Sequence, residues 1–300
     1  MSALQMWRIN WRLLRQALAQ KCACCGGMPA RRPWRLRNGL PGVRLQGLWY
    51  CGTECLERAL CGILERESPT LRQITPVHRR PVGLLLLSRQ QVTGEQLRTA
   101  LELQRAAGTG KIGEWLQQLG FASQEQITGA LARQWSCPLL RLNAAGLAAN
   151  NFTRIPLALL EASQMVPADF VETTGSLLMA FSDAVDYTAL YAIDQMLGCR
   201  TEACFVPPTV LQEGLQALLR VRRPAEVVFD RVEDLGECAR IIGSYSGKTS
   251  TEDIRLIRLG KYVWIRLERQ GRETVSLVLR SPAKVPAHPP LPRTVGAYPL

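Results

Sequence analysis

Histidine is scarce in this chain of 300 residues: there are two, His78 and His288. One falls in a linker and the other in a proline-rich tail, and no Ser–His–Asp or Cys–His set stands out, which excludes His-based nucleophilic catalysis. Long apolar runs are missing too. No stretch reaches the roughly 18 residues that a membrane-spanning helix needs. Arg8, Arg12 and Arg15 interrupt the first apolar segment, so no signal-peptide core is present and a cytoplasmic location is expected. There the ten cysteines are expected to be reduced, ligated or buried. A phosphate-cradling loop is lacking as well. Gly243 to Thr249, GSYSGKT, has three residues between its glycines where four are required, and it follows a predicted helix instead of a strand. These absences predict a protein that is not an enzyme.

The apolar share is 47%, enough for two or three small domains. The net charge of +12 is uneven: residues 1–66 hold eleven Lys and Arg against three Asp and Glu. An internal repeat organises the middle of the chain. Pro81–Gln104 and Lys111–Gln134 align with seven identities in 24 positions, among them Gly83/Gly113, Leu86/Leu116, Ala100/Ala130, Leu101/Leu131 and Gln104/Gln134. In each copy a short apolar segment is followed by Thr93 or Ser123, with Gln96 or Gln126 three residues on. That is the capping-box signature of a second helix, whose apolar face then recurs at helical spacing. Each copy is therefore predicted as helix, tight turn, helix, with Gly108 and Gly110 turning the joint between copies.

Both copies resemble the duplicated motif at the N-terminus of type II secretion and type IV pilus assembly ATPases, the MshEN type. The likeness runs on through IPLALLEASQMVPADF and SLLMAFSDAVDYTALYAID, covering about residues 80–223. It implies a docking role on a protein partner, a secretion or pilus assembly component. The catalytic domain that follows in those ATPases has no counterpart here. The resemblance also implies a cyclic di-GMP site at Arg80, Val82, Gly83, Lys111, Ile112, Gly113 and Gly120. The departures matter. Pro81 replaces the motif's first Arg in one copy, with Arg79 and Arg80 adjacent, and Lys111 replaces it in the other. Gln90 stands at the second glycine position, where the other copy keeps Gly120. Lysine keeps the charge and loses the planar fork of donors. Weak or absent cyclic di-GMP binding is expected.

Upstream, Cys22 and Cys25 have knuckle spacing with Gly26 and Gly27 behind them, and Cys51 and Cys55 lie one helical turn apart at the start of a helix running to about Leu64. With a hairpin predicted between them, the order resembles a treble-clef zinc site, in which four thiolates close the coordination of a structural metal. Cys24 competes with Cys22 or Cys25 as a ligand, and Cys61 is expected in the core. Such a module is too small for a core of its own, so the metal is expected to supply much of its folding energy, and Cys51→Ser to unfold residues 22–64 while leaving the repeat domain intact. Residues 3–20 read as an amphipathic helix, either lying on an anionic membrane or packed on the cysteine module. Arg31, Arg32, Arg35, Arg37 and Arg44, interleaved with Trp34 and Trp49, offer residues 31–44 to nucleic acid, to an acidic protein, or to solvent.

The expected organisation is α+β. A basic helix and treble-clef-like zinc module (1–66) and a linker (67–79) precede the repeat with a βαβ subdomain (80–223), folding as one unit. A C-terminal helix plus three-stranded antiparallel sheet (224–280) and a disordered tail (281–300) follow. Pro138–Leu142, Met165–Val171, Ser176–Phe181 and Thr201–Val206 read as strands, Tyr187–Leu197 as a helix closed by Gly198, and Asp183 and Asp186 as helix-start caps. A helix is expected from Val232 to Ile242, and strands at Ile254–Leu259, Tyr262–Glu268 and Glu273–Arg280. A zinc-containing nucleic-acid-binding protein is the alternative to the adaptor.

Overall fold

The four repeat helices are the part most directly written in local sequence. In the computed structural model, which describes residues 21–27, 42–66, 79–143, 146–147, 152–221, 223–271 and 273–280, they are α2 (Val82–Ser88), α3 (Gly94–Ala107), α4 (Ile112–Gln118) and α5 (Gln124–Gln134). Both capping boxes form: Thr93 and Ser123 accept from the amides of Gln96 and Gln126, whose side chains accept in return from the cap amides. Gly108 closes α3 in the left-handed conformation. The helices share a core of Leu86, Leu97, Ala100, Leu116 and Ala130.

A three-stranded sheet follows, in the order β3 (Val166–Val171), β4 (Ser176–Phe181), β5 (Arg200–Phe205). Strands β4 and β5 are parallel, joined by α7 (Tyr187–Leu197), with α6 (Leu157–Ala162) and α8 (Pro208–Leu218) packed nearby. This is the expected βαβ crossover. The strand expected at Pro138–Leu142 reduces to a single bridge, Leu139 to Phe205.

The larger difference lies at the two ends of the chain. A six-stranded sheet runs β2 (Leu48–Tyr50), β1 (Val43–Leu45), β7 (Asp253–Leu259), β8 (Tyr262–Glu268), β9 (Val275–Arg280), β6 (Glu226–Phe229). The cysteine-module hairpin joins β7 in parallel, Leu45 opposite Ile254, and β6 adds in parallel to β9. The expected three-stranded antiparallel sheet is therefore the centre of a mixed one. Residues 42–66 and 226–280 also share one core: Leu45, Leu56, Leu60 and Leu64 with Ile242, Ile254, Ile265 and Leu277. The cysteine module, expected to lack a core of its own, shares one with the far end of the chain. The C-terminal helix begins at Leu235 and not at Val232: α9 spans Leu235–Thr249, capped by Asp234. It packs on α1 (Thr53–Arg66) so closely that a Cβ on Gly243 would meet Glu57 Oε1 at 2.7 Å. Gly243 and Gly247 of the P-loop-like stretch lie within this helix.

The opposite sheet face is also covered. Leu259, Trp264 and Val278 belong to the core that holds α7 and β3–β5. Arg266 donates to Met196 O at 3.2 Å, near the C-terminal end of α7, and pairs with Glu268. Glu226 accepts from the amides of Leu157 and Ala158 at the start of α6, while the Arg223 guanidinium donates to Ile155 O. Burial lowers the pKa of both arginines, and Glu226 and Glu268 partly offset the cost. Two buried faces explain why β8 reads as a nearly continuous apolar run, YVWIRLE.

Candidate functional site

The cysteine cluster is assembled from a turn, a hairpin end and a helix start. Residues 22–27 close on themselves, Cys22 N donating to Gly27 O at 2.8 Å and Gly26 N to Cys22 O at 2.9 Å. Gly26 takes φ +70°, which a side chain would resist, and a Cβ on Gly27 would press on Cys25 Sγ at 3.3 Å. The turn is tied to the sheet by Ala23 N donating to Trp49 O at 2.9 Å. Cys51 follows β2, and Cys55 lies in the first turn of α1.

The Sγ atoms of Cys22, Cys25, Cys51 and Cys55 lie within 4.8 Å of one another. Cys25 to Cys51 is 3.6 Å and Cys51 to Cys55 is 3.7 Å. These separations are far beyond the ~2.05 Å of a disulfide. They are the spacing of donor atoms that share one ion, so the four expected residues can hold a metal. Burial pushes the Cys22 thiol up, but the backbone amides of Cys25, Cys51 and Cys24 override it and bring it down to about 6. Cys51 is raised, by burial and by the Cys25 and Cys22 thiols against an opposing contribution from Cys55, and Cys55 is raised chiefly by Cys51. A divalent ion held among them would favour the thiolate form of every ligand.

Cys24 lies outside the set, with Arg58 Nη1 3.8 Å from its sulfur. Cys61 is half-buried on α1 and packs against the same core. Elsewhere burial pushes Cys204 up to about 12 and Cys238 to about 11, so these thiols stay protonated and inert.

The repeat places the other candidate residues. Gly83 and Gly113 occupy the second position of α2 and α4, where a Cβ would meet Leu97 Cδ1 at 2.7 Å and Ile127 Cγ2 at 3.0 Å. Both glycines admit the following helix of their own copy. Val82 and Ile112 begin α2 and α4 and pack against the repeat core. Gly120 takes φ +70° in an open turn, and Gln90 takes φ +57° at the matching place in the first copy. The turn geometry survives there without the glycine.

The repeated glutamines bind across the pair. Gln104 donates to Gly110 O at 2.8 Å, just ahead of α4, and Gln134 donates to Arg80 O at 2.7 Å, just ahead of α2. Each copy thus holds the entry of the other, a reciprocal arrangement that sequence spacing did not expose. The cations near those entries are largely engaged. The Arg79 guanidinium lies over the Trp135 ring at 3.2 Å, and Trp135 in turn neighbours Tyr187. Lys111 Nζ forms an ion pair with Asp183, so Asp183 is not a helix cap, whereas Asp186 caps α7 through Ala189 N as expected. Arg80 is exposed, and its side chain makes no hydrogen bond or ion pair among the described residues.

Several expectations fall outside the described residues: the amphipathic helix at 3–20, the Arg31–Arg37 cluster with Trp34, the linker up to His78, and the tail at 281–300. Of the basic set, exposed Arg44 and buried Trp49 are described. No described helix is long and apolar enough to cross a membrane.

Part of this chain is similar to several solved structures. A region amounting to 46% of this chain covers 98% of a solved structure of MshE with cdg, at 26% identity and a TM-score of 0.36. A region of the same share covers 96% of a solved N-terminal domain of XpsE, at 18% identity and a TM-score of 0.34. Over that region the chain is similar to these N-terminal domains. No protein-family model matches the chain, and no curated protein does.

Proposed function

We propose that this chain is a non-catalytic, cytoplasmic adaptor built around a secretion-ATPase type N-terminal fold, stiffened by a structural zinc site and docked on a protein partner of a secretion or pilus assembly. The observation that carries the reading is the duplicated motif closed on itself by Gln104 and Gln134. It has the form of a scaffold with two equivalent entries and, among the described residues, no nucleophile at either.

Zinc fits the cysteine cluster. A tetrahedral site with Zn–S of about 2.3 Å requires thiolates ~3.8 Å apart. The 3.6 and 3.7 Å separations of Cys51 from Cys25 and Cys55 fit that edge. Cys22, Cys25, Cys51 and Cys55 would hold the ion, and four protein ligands leave no open position for chemistry. The knuckle, hairpin and helix follow in treble-clef order.

Cyclic di-GMP binding is weak or absent in this reading. Two of the three cations near the repeat entries are already engaged, Arg79 by Trp135 and Lys111 by Asp183. An anionic ligand has to displace Asp183 before it meets Lys111, and meets there a point charge instead of a fork. Calorimetry with cyclic di-GMP is the test, and a sub-micromolar Kd refutes this part. The adaptor role is tested by capturing the full chain from its native cell and identifying bound proteins by mass spectrometry. Recovery of a secretion or pilus component supports the role, and recovery of nucleic acid with salt-sensitive affinity supports the alternative.

A further inference from the structure

A cleft of about 540 Å³ opens beside the cysteine cluster, between α1 and β2. Its size is within the ~300–1,000 Å³ range of ligand-holding clefts. Ala59, Ile63 and Arg66 recur at helical spacing along α1 beside the stripe of Leu56, Leu60 and Leu64, with Ala59 and Ile63 half-buried against the same core, and Leu48 and Ala23 complete the apolar wall. Leu48 is 56% exposed, the most exposed large apolar residue among those described. Arg58 and Arg66 stand at the rim, both exposed. Neither makes an ion pair among the described residues; Arg66 Nε donates to Gly62 O and Arg58 reaches only Cys24 Sγ. Among the described residues, none that lines the cleft is acidic.

We propose that this cleft docks an acidic peptide segment of a partner protein, one large apolar side chain entering between the two arginines while flanking carboxylates meet them. The charge is complementary, and two guanidinium groups on one helix, neither with a carboxylate partner among the described residues, present forks suited to carboxylates. Among the described lining residues the only aromatic ring, Tyr50, is buried to 5% exposure, so none of them offers an open ring face for stacking a nucleobase. The chain's own segment 1–20 holds Arg8, Arg12 and Arg15 and no acidic residue, so it is the wrong charge for this rim. The proposal deepens the adaptor reading by assigning the surface that meets the partner.

The experiment measures anisotropy of a labelled short peptide, a single Phe flanked by Glu and Asp, titrated with the full chain. Saturable binding that weakens as salt rises is expected, with at least about a tenfold loss in the Arg58→Glu/Arg66→Glu variant. Leu48→Ser should give a similar loss with salt dependence unchanged. Unaltered metal content and melting temperature show that the variants are folded. Equal binding of a Lys-flanked peptide overturns the proposal, as does displacement by single-stranded DNA. Tighter probe binding after deletion of residues 281–300 assigns the cleft to the chain's own tail, and self-association abolished by the arginine variant assigns it to a second copy; either result overturns it too. Absence of probe binding beside successful capture of a secretion component refutes this surface while leaving the adaptor role standing.

Discussion

Replacing Leu60 by Ala tests whether the two ends of the chain are one cooperative unit. Leu60 is fully buried on α1, flanked one turn either way by Leu56 and Leu64, in the core shared with α9 and β7–β9. The change removes three carbons, worth about 0.8 kcal/mol each in transfer from water. The cavity left behind adds to this, since α1 is held against α9 at the Gly243 crossing and against the sheet through the hairpin and cannot simply collapse. A loss of about 3–4 kcal/mol is expected. Because β1 pairs with β7, the loss should spread beyond the cysteine module. Hydrogen exchange read by mass spectrometry is the assay. Protection should fall in 253–280 as much as in 53–66. Leu116→Ala, equally buried but in the repeat core, should lower protection in 82–134 instead. If the effect of Leu60→Ala is confined to 42–66, the shared-core reasoning is wrong.

The chain as purified without chelator should carry one zinc; Cys51→Ser should abolish it and loosen residues 226–280 together with 42–66, and elemental analysis finding no zinc in the unaltered chain defeats the assignment. Metal affinity should fall steadily with acid, because each thiol must release its proton to bind, as a competition titration with a chromogenic chelator would report. If cyclic di-GMP binds at all, Lys111→Ala should weaken it more than Arg80→Ala and Asp183→Ala should strengthen it; calorimetry showing no change in Asp183→Ala removes the displacement argument. A fragment of residues 80–223 should fold but melt below a fragment reaching residue 280, since it lacks Glu226 at the start of α6 and Arg266 at the end of α7; equal melting temperatures by calorimetry count against that coupling. Gly120→Ala should cost about 1 kcal/mol because its φ of +70° opposes a side chain, and equilibrium urea unfolding checks the figure.

Local signals carried far in this protein. The capping boxes, the Gly198 stop, the strands of the βαβ unit and the paired cysteines could be read from spacing because each depends on atoms only a few residues apart. The repeat offset also revealed which glycines and glutamines mattered, though not what they do. Their roles are close helix packing at Leu97 and Ile127, and hydrogen bonds to the entry of the opposite copy. Pairing of β1 with β7 joins residues about 210 positions apart, and no periodicity encodes a partner that distant. A hint existed in the apolar run of β8, which signals a strand covered on both faces without saying by what. Likewise the charges of Arg79 and Lys111 are plain in the sequence, but their engagement by Trp135 and Asp183 is not. Sequence by itself determined most of the elements and the cysteines that gather into one cluster, since hydrogen-bonding caps and cysteine spacing are short-range. The tertiary structure alone decided which ends of the chain share a core and which cations remain free, because both depend on surfaces brought together only when the whole chain closes.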